Sequence, residues 1–331
     1  MISDSTLTPT RARFRAISDL GPGLAIEHLW QESAQAYLRW YLRDGEARRP
    51  DYTRGLNMLK AHMPELVPTY ERLLVRCVAD ELSARFLSLY DPPAFVAGCS
   101  QGVWTRDRSA LVRNYDFPAS LCESVLLQSN WNGTRVMAMS DCLWGVLDGM
   151  NEHGLAVSLA YGGRRVLDRG FAITLVLRYL LEFCQTVKEA VSVLKRIPVQ
   201  MSYNVTALDR QGEFVTVMLS PDKEARITHS PRATNHQNPR EVALYETLAD
   251  SRVREQFIAS RQQDPRQNYE HFLQLFLQPP LYRTSAQAHG WGTLYTSAWY
   301  PEEGAMDILW PDGHWQQSFQ QFVEQERTVI Y

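Results

Sequence analysis

The stretch DPPAFVAGCSQGVWTRDRSALVRNYDF, residues 91–117, is where this 331-residue chain changes character. Upstream of it, apolar residues recur at helical spacing: Ile26, Leu29, Trp30, Tyr37, Trp40 and Tyr41, then Leu73, Leu74, Cys77, Leu82 and Phe86. Asp91-Pro92-Pro93 ends that pattern, because proline lacks an N–H and its ring blocks the preceding helical turn. Downstream, the apolar period falls from about 3.6 to about 2, the signature of strands. The change divides the chain into a helical N-terminal segment, residues 1–98, and a mixed region, residues 99–331.

Strands are predicted at Gly102–Trp104, Ala110–Asp116, Ser124–Gln128, Thr134–Ser140 and Leu155–Tyr161. Two helices follow, over Phe171–Cys184 and Val187–Arg196, the second opened by a Thr186/Glu189 capping box. Strands resume at Asn204–Leu208 and Glu213–Leu219, helices at Val242–Ser260 and Tyr269–Leu277, and a hairpin, Gly292–Trp299 with Met306–Trp310, closes the chain. This order predicts an α+β fold with two sheets sandwiched between helical layers.

Composition narrows the function. A net charge of −3 gives no footprint for nucleic acid or a membrane surface. No apolar run is long enough to span a bilayer, and the polar start Met1–Leu7 does not read as a signal peptide. Five cysteines, widely spaced and without a C-x-x-C pair, argue against a disulfide framework or a thiolate metal site. The eight histidines show no ligand spacing, so neither metal nor cofactor is expected. A reducing, cytoplasmic setting fits, and there a thiol can act as nucleophile.

Three segments carry candidate chemistry: Ala97-Gly98-Cys99-Ser100, Arg113-Asn114-Tyr115-Asp116-Phe117 and Thr234-Asn235-His236. Asp148–Leu155 reads as a turn launching a strand. Together, in this order and spacing, they resemble the cysteine N-terminal-nucleophile hydrolases typified by the isopenicillin N acyltransferases. Carcinine-type hydrolases are relatives, and choloylglycine (bile salt) hydrolases more distant ones. The resemblance runs from about residue 60 to the end. It implies a four-layer αββα sandwich, and self-cleavage at Gly98-Cys99 that leaves residues 1–98 as a small subunit bound to the catalytic domain. It implies Cys99 as nucleophile, Asp116 orienting the new terminal amine, and Arg113 or Arg252 lowering the thiol pKa, with Arg254 as an alternative to Arg252. Asn235 and a backbone N–H near Ala160 or Tyr161 would stabilise the oxyanion; bile salt hydrolases carry an asparagine where this chain has Ala160-Tyr161.

The implied reaction is amide hydrolysis or acyl transfer on a small N-acyl compound through a Cys99 thioester. Water, an amine or an acyl-thioester co-substrate completes it, and homo-oligomers are compatible. A terminal cysteine has its own base, an α-amine of pKa ~7.7–8.0. The rival reading is a silent binding protein with the same sandwich that is never cut. A papain-like protease is disfavoured because Cys99 begins a strand, not a helix. Cys77, Cys122, Cys142 and Cys184 read as core, and His153 and His236 as structural.

Overall fold

In the computed structural model, which describes residues 10–21, 24–238, 250–284 and 291–331, the helical period stops where the prolines stand. Helices α1 (Ala25–Tyr41), α2 (Tyr52–His62), α3 (Val67–Arg76) and α4 (Glu81–Leu87) precede them. Side chains of Asp51 and Asp80 cap α2 and α4 by accepting from Arg54 N and Ser83 N. Trp30, Tyr37 and Tyr41 of α1 close around Phe86 of α4, with ring centroids 5.2–6.0 Å apart. Such pairs contribute ~0.5–1.5 kcal/mol each beyond area burial.

The N-terminal segment is not wholly helical, however. Arg11–Asp19 forms strand β1, with Ala12, Phe14 and Ala16 buried between exposed Arg11 and Arg13. That short alternation is the strand period, and the arginines mask its apolar side in a reading by composition.

Beyond the prolines come β2 (Gly98–Trp104), β3 (Ala110–Phe117), β4 (Val125–Ser129), β5 (Val136–Asp141), β6 (Gly145–Asn151) and β7 (Ala156–Tyr161). Helices α5 (Ile173–Phe183) and α6 (Val187–Arg196) follow, and Thr186 caps α6 from Glu189 N at 3.3 Å. Then come β8 (Tyr203–Leu208), β9 (Phe214–Ser220), β10 (Lys223–Thr228) and β11 (Arg232–Ala233). Helices α7 (Ser251–Gln263) and α8 (Tyr269–Leu275) precede β12 (Gly292–Tyr300), β13 (Ala305–Trp310), β14 (Gly313–Ser318) and β15 (Gln325–Ile330). The front of the helix expected at Val242–Ser260 lies outside the described residues. The closing hairpin is followed by two further strands, β14 and β15.

Two sheets result. One has nine strands in the order β10-β9-β8-β7-β6-β5-β4-β1-β15; the other has six, β11-β2-β3-β12-β13-β14. They pack face to face, with β2 and β3 against β7 and β12 against β6. Helices α5 and α6 lie on the outer face of the first sheet. On the outer face of the second, Ile258 of α7 and Phe272 of α8 join Trp104, Ala110 and Val112 in a separate apolar cluster. The architecture is therefore the four-layer αββα sandwich.

Strand β6 replaces the start of the expected Asp148–Leu155 turn. It is buried throughout, so it shows no alternation. Gly149 belongs inside it: a Cβ there would come within 2.5 Å of Ala138 Cβ on β5.

Candidate active site

Cys99 sits at the start of β2, opposite Tyr115, with Gly98 opposite Asp116. Side chains alternate across a strand, so Cys99, Arg113 and Tyr115 face the space between the sheets. Gly98, Ser100 and Asp116 face the outer helical layer. Cys99, Arg113 and Asn235 are each fixed by more than one bond.

Arg113, fully buried, donates from Nη2 to Cys99 Sγ at 3.2 Å and from Nε to the Leu159 carbonyl at 3.0 Å. Its Nη1 lies 2.5 Å from Asp148 Oδ1 and 3.1 Å from the Tyr295 hydroxyl. Asp148 accepts in addition from Tyr295 Oη at 2.8 Å and from Trp299 Nε1 at 3.0 Å. An ion pair between two fully buried side chains thus joins β3 of one sheet to β6 of the other. Burial works against the guanidinium charge, but Cys99, Tyr295 and Asp148 more than offset it and hold its pKa above the ordinary value.

Asn235 clasps the junction. Its Oδ1 accepts from Cys99 N at 2.9 Å, and its Nδ2 donates to the carbonyls of Ala97 and Tyr161, each at 3.1 Å. Arg254 donates to the Cys99 carbonyl and to Ser100 Oγ, both at 2.6 Å, and to Asn235 Oδ1 at 2.8 Å. His236 ties this loop to α7 through Ser251 Oγ at 2.8 Å and Glu255 at 3.0 Å.

Asp116 is fully buried, and its Oδ1 accepts from Thr293 Oγ1 at 2.7 Å. Its Oδ2 has no partner among the described residues. Burying a carboxylate oxygen unpaired is costly, and such an atom in a native fold calls for a missing donor.

Burial pushes the Cys99 thiol above its usual range, and the pull of Arg113 does not overcome it. In the intact chain, then, the guanidinium does not make a standing thiolate. The segment leading to the cysteine is itself held: Gln200 Nε2 donates to the Pro92 and Pro93 carbonyls at 3.2 and 3.1 Å, and Arg49 to that of Asp91 at 2.8 Å. Cys99 has no exposed surface.

The model for the acyl-coenzyme A:6-aminopenicillanic acid acyl-transferase family matches residues 103–315, from the end of β2 into β14. The chain belongs to that family. No curated protein matches the chain. Solved structures similar to it include three enzymes. A mutant conjugated bile acid hydrolase from Clostridium perfringens is 14% identical with a TM-score of 0.49, over 70% of this chain and 97% of that one. Penicillin V acylase from Agrobacterium tumefaciens is 16% identical with a TM-score of 0.46, over 68% and 86%. A Caenorhabditis elegans ortholog of N-acylethanolamine-hydrolyzing acid amidase is 16% identical with a TM-score of 0.47, over 70% and 99%.

In this acyltransferase-family chain the structure brings Cys99, Arg113 and Asn235 into direct contact, with Asp116 opposite Gly98. Arg252 lies on the exposed side of α7, and Arg254, two positions on, is the one turned inward. Tyr161 meets Asn235 through its carbonyl, and Ala160 pairs with Asn204 in the ladder. Asp148, Tyr295 and Trp299 were not among the expected site residues. Asp148 did carry a signal: a lone acid within the apolar run Val146–Met150 demands a buried partner, and Arg113 within Leu111–Asn114 is the matching lone base. No group of His, Cys, Asp and Glu suited to a metal exists among the described residues.

Gly98 has no room for a side chain. A Cβ there would lie 2.6 Å from Trp291 and 2.9 Å from Asp116 Cβ. Gly98→Ala is expected to displace the junction and slow any cutting by at least tenfold while the fold persists. A time course of fragment appearance on a denaturing gel reads this directly, and a wild-type rate would show that the close fit at Gly98 is irrelevant.

Proposed function

We propose that this protein is a self-processing cysteine amidase or acyltransferase that acts on linear amides of small N-acyl compounds through Cys99. The observation that carries the reading is the unpartnered Asp116 Oδ2 beside the Gly98-Cys99 peptide, on a cysteine whose sulfur and nitrogen are both held. In maturation, Cys99 Sγ attacks the Gly98 carbonyl carbon. The C–N bond breaks, the thiol proton passes to the Cys99 nitrogen, and Gly98 is left as a thioester on sulfur. Water hydrolyses that thioester, freeing a Gly98 carboxylate, the thiol and a terminal amine. Protonated, this amine is the donor that Asp116 lacks in the intact chain.

Turnover repeats the chemistry on an outside amide. The terminal amine takes the thiol proton, and the thiolate, paired with Arg113, attacks the substrate carbonyl. The collapsing intermediate expels the substrate amine, which leaves with that proton, and a thioester remains. Water gives the acid; an acceptor amine gives a new amide. Asn235 Nδ2, no longer engaged by Ala97 once that segment withdraws, is the donor for the oxyanion. The pieces are residues 1–98 and 99–331. The five unpaired thiols favour a reducing, cytoplasmic location, and no helix among the described residues is long and apolar enough to cross a membrane.

Asn235→Ala tests the oxyanion assignment. Loss of one such donor typically lowers kcat by ~10²–10³-fold with little change in KM. Amine release from a panel of N-acyl amides, measured on chain shown by intact mass to be cut, gives both constants. Wild-type kcat in the variant would remove Asn235 from the reaction, and no release from any amide by the cut protein would sink the amidase reading.

A further inference from the structure

A cavity of about 260 Å³ lies between α1 and the end of β3. Ala36, Tyr37 and Trp40, one face of α1, form a wall, and Phe95 and Phe117 form another. Glu123 and Asp141 line it as well, and no lysine or arginine does.

The two carboxyls are not equivalent. Glu123 is satisfied: it accepts from the Tyr37 hydroxyl, from Ser140 Oγ and from Leu143 N. Asp141 is only 8% exposed, and its donors are weak contacts from its own neighbour, the Cys142 backbone N–H and Cys142 Sγ at 3.5 Å. A buried carboxyl left over in an aromatic-walled cavity is a place for a cation.

The cavity is linked to the nucleophile through packed rings. Phe95 and Phe117 are 5.0 Å apart between ring centroids, and Phe117 is 5.5 Å from Tyr115, which stands opposite Cys99. Phe95 lies three residues before Gly98, on the piece whose end becomes free if the junction is cut.

We propose that this cavity binds the non-reacting end of the substrate, a primary ammonium carried on an apolar or aromatic body, with Asp141 as its counter-ion. Calling the occupant a substrate rests on the amidase reading; the ammonium site itself does not. Burial, with Glu123 next to it, pushes Asp141 up to about 7. Raised in this way, the carboxyl is charged above that pH and neutral below it, so the cation is held best on the alkaline side. Of the charged groups acting on it, Glu123 is the other carboxyl, and the buried Arg113 guanidinium, already paired with Asp148, draws it part of the way back down. The Cys122 thiol is pushed up to about 12 by burial, and Tyr37 and Cys142 are raised well above their usual values, so all three stay neutral between pH 6 and 8. Glu32, at the rim on α1, pairs with Arg15.

Calorimetric titration of the full chain at pH 8 with 2-phenylethylamine and with neutral 2-phenylethanol tests this. The amine should bind at least tenfold tighter, and Asp141→Asn should weaken it about 10- to 100-fold, to the level of the alcohol, as expected for a lost charged partner. Lowering the pH to 6 should weaken the amine by about tenfold and leave the alcohol unchanged. If Asp141→Asn fails to fold, Ala36→Leu fills the cavity from α1 with both carboxyls intact and should abolish amine binding. Equal affinity for amine and alcohol in the wild type, or amine binding that survives either folded variant, overturns the proposal. A chain that binds the amine but never releases amine from an amide keeps this site and loses the amidase reading; the reverse result does the opposite.

Discussion

Cys99→Ala is expected to leave the chain in one piece and to abolish amide turnover, whereas the wild type separates under denaturing conditions into residues 1–98 and 99–331. The substitution removes little from the core, since among the described residues the sulfur's one polar contact is Arg113 Nη2 at 3.2 Å. Folding should therefore survive, and a full-length species is then a statement about chemistry. Loss of a covalent nucleophile typically costs on the order of 10⁶ in kcat. The buried thiol adds a second reading of the same event. While the junction is intact, burial keeps Cys99 protonated, so iodoacetamide at neutral pH should label it slowly. Once cut, with the preceding segment free to leave, it should become the one cysteine whose alkylation stops turnover. Denaturing mass spectrometry and peptide mapping on one preparation follow both. A wild-type chain that stays whole under every condition would favour the silent, uncut binding protein.

Asp148→Ala is expected to be the most destabilising single change at the site. It would leave the Arg113 guanidinium, the Tyr295 hydroxyl and the Trp299 N–H short of their acceptor, all in the dry layer between the sheets. Removing one partner of a buried ion pair typically costs ~3–5 kcal/mol, because the surviving charge stays buried and uncompensated. Asp148→Asn, which keeps an acceptor oxygen and the shape, should cost less. Urea unfolding monitored by tryptophan fluorescence gives the free energies. The alanine variant unfolding at the wild-type midpoint would mean that Arg113 finds another counter-charge, and that Asp148 does not position it.

Much of this was legible beforehand, for physical reasons that differ from element to element. The Pro92-Pro93 stop ended the helical pattern, and the polar stretch Arg106–Ser109 marked where β3 begins, although β3 is buried along its whole length. The ends of α6 were readable from Thr186, whose hydroxyl caps it as expected. Strand β1 was missed because its apolar face consists of two alanines and one phenylalanine among arginines. Strand β6 was missed because full burial erases the period. At the site, the segments holding Cys99, Arg113, Asp116 and Asn235 could be found from their order along the chain. The choice between Arg252 and Arg254 could not, since it depends on the rotation of α7, which two arginines only two positions apart do not reveal. Asp148 needed a long-range pairing that no local pattern encodes.

Strand β1 runs parallel to β4 on one side and antiparallel to β15 on the other. The chain's earliest strand is thus completed by its latest, across about three hundred residues of intervening sequence. On a ribosome, the outer edge of β1 stays bare until residues 325–330 have emerged. A cut at Gly98 made before then would leave β1 paired on one edge only; made afterwards, β1 would be clasped on both. The order of synthesis thus sets when this edge is closed: a cut that waited for β15 would find the first strand locked between two partners.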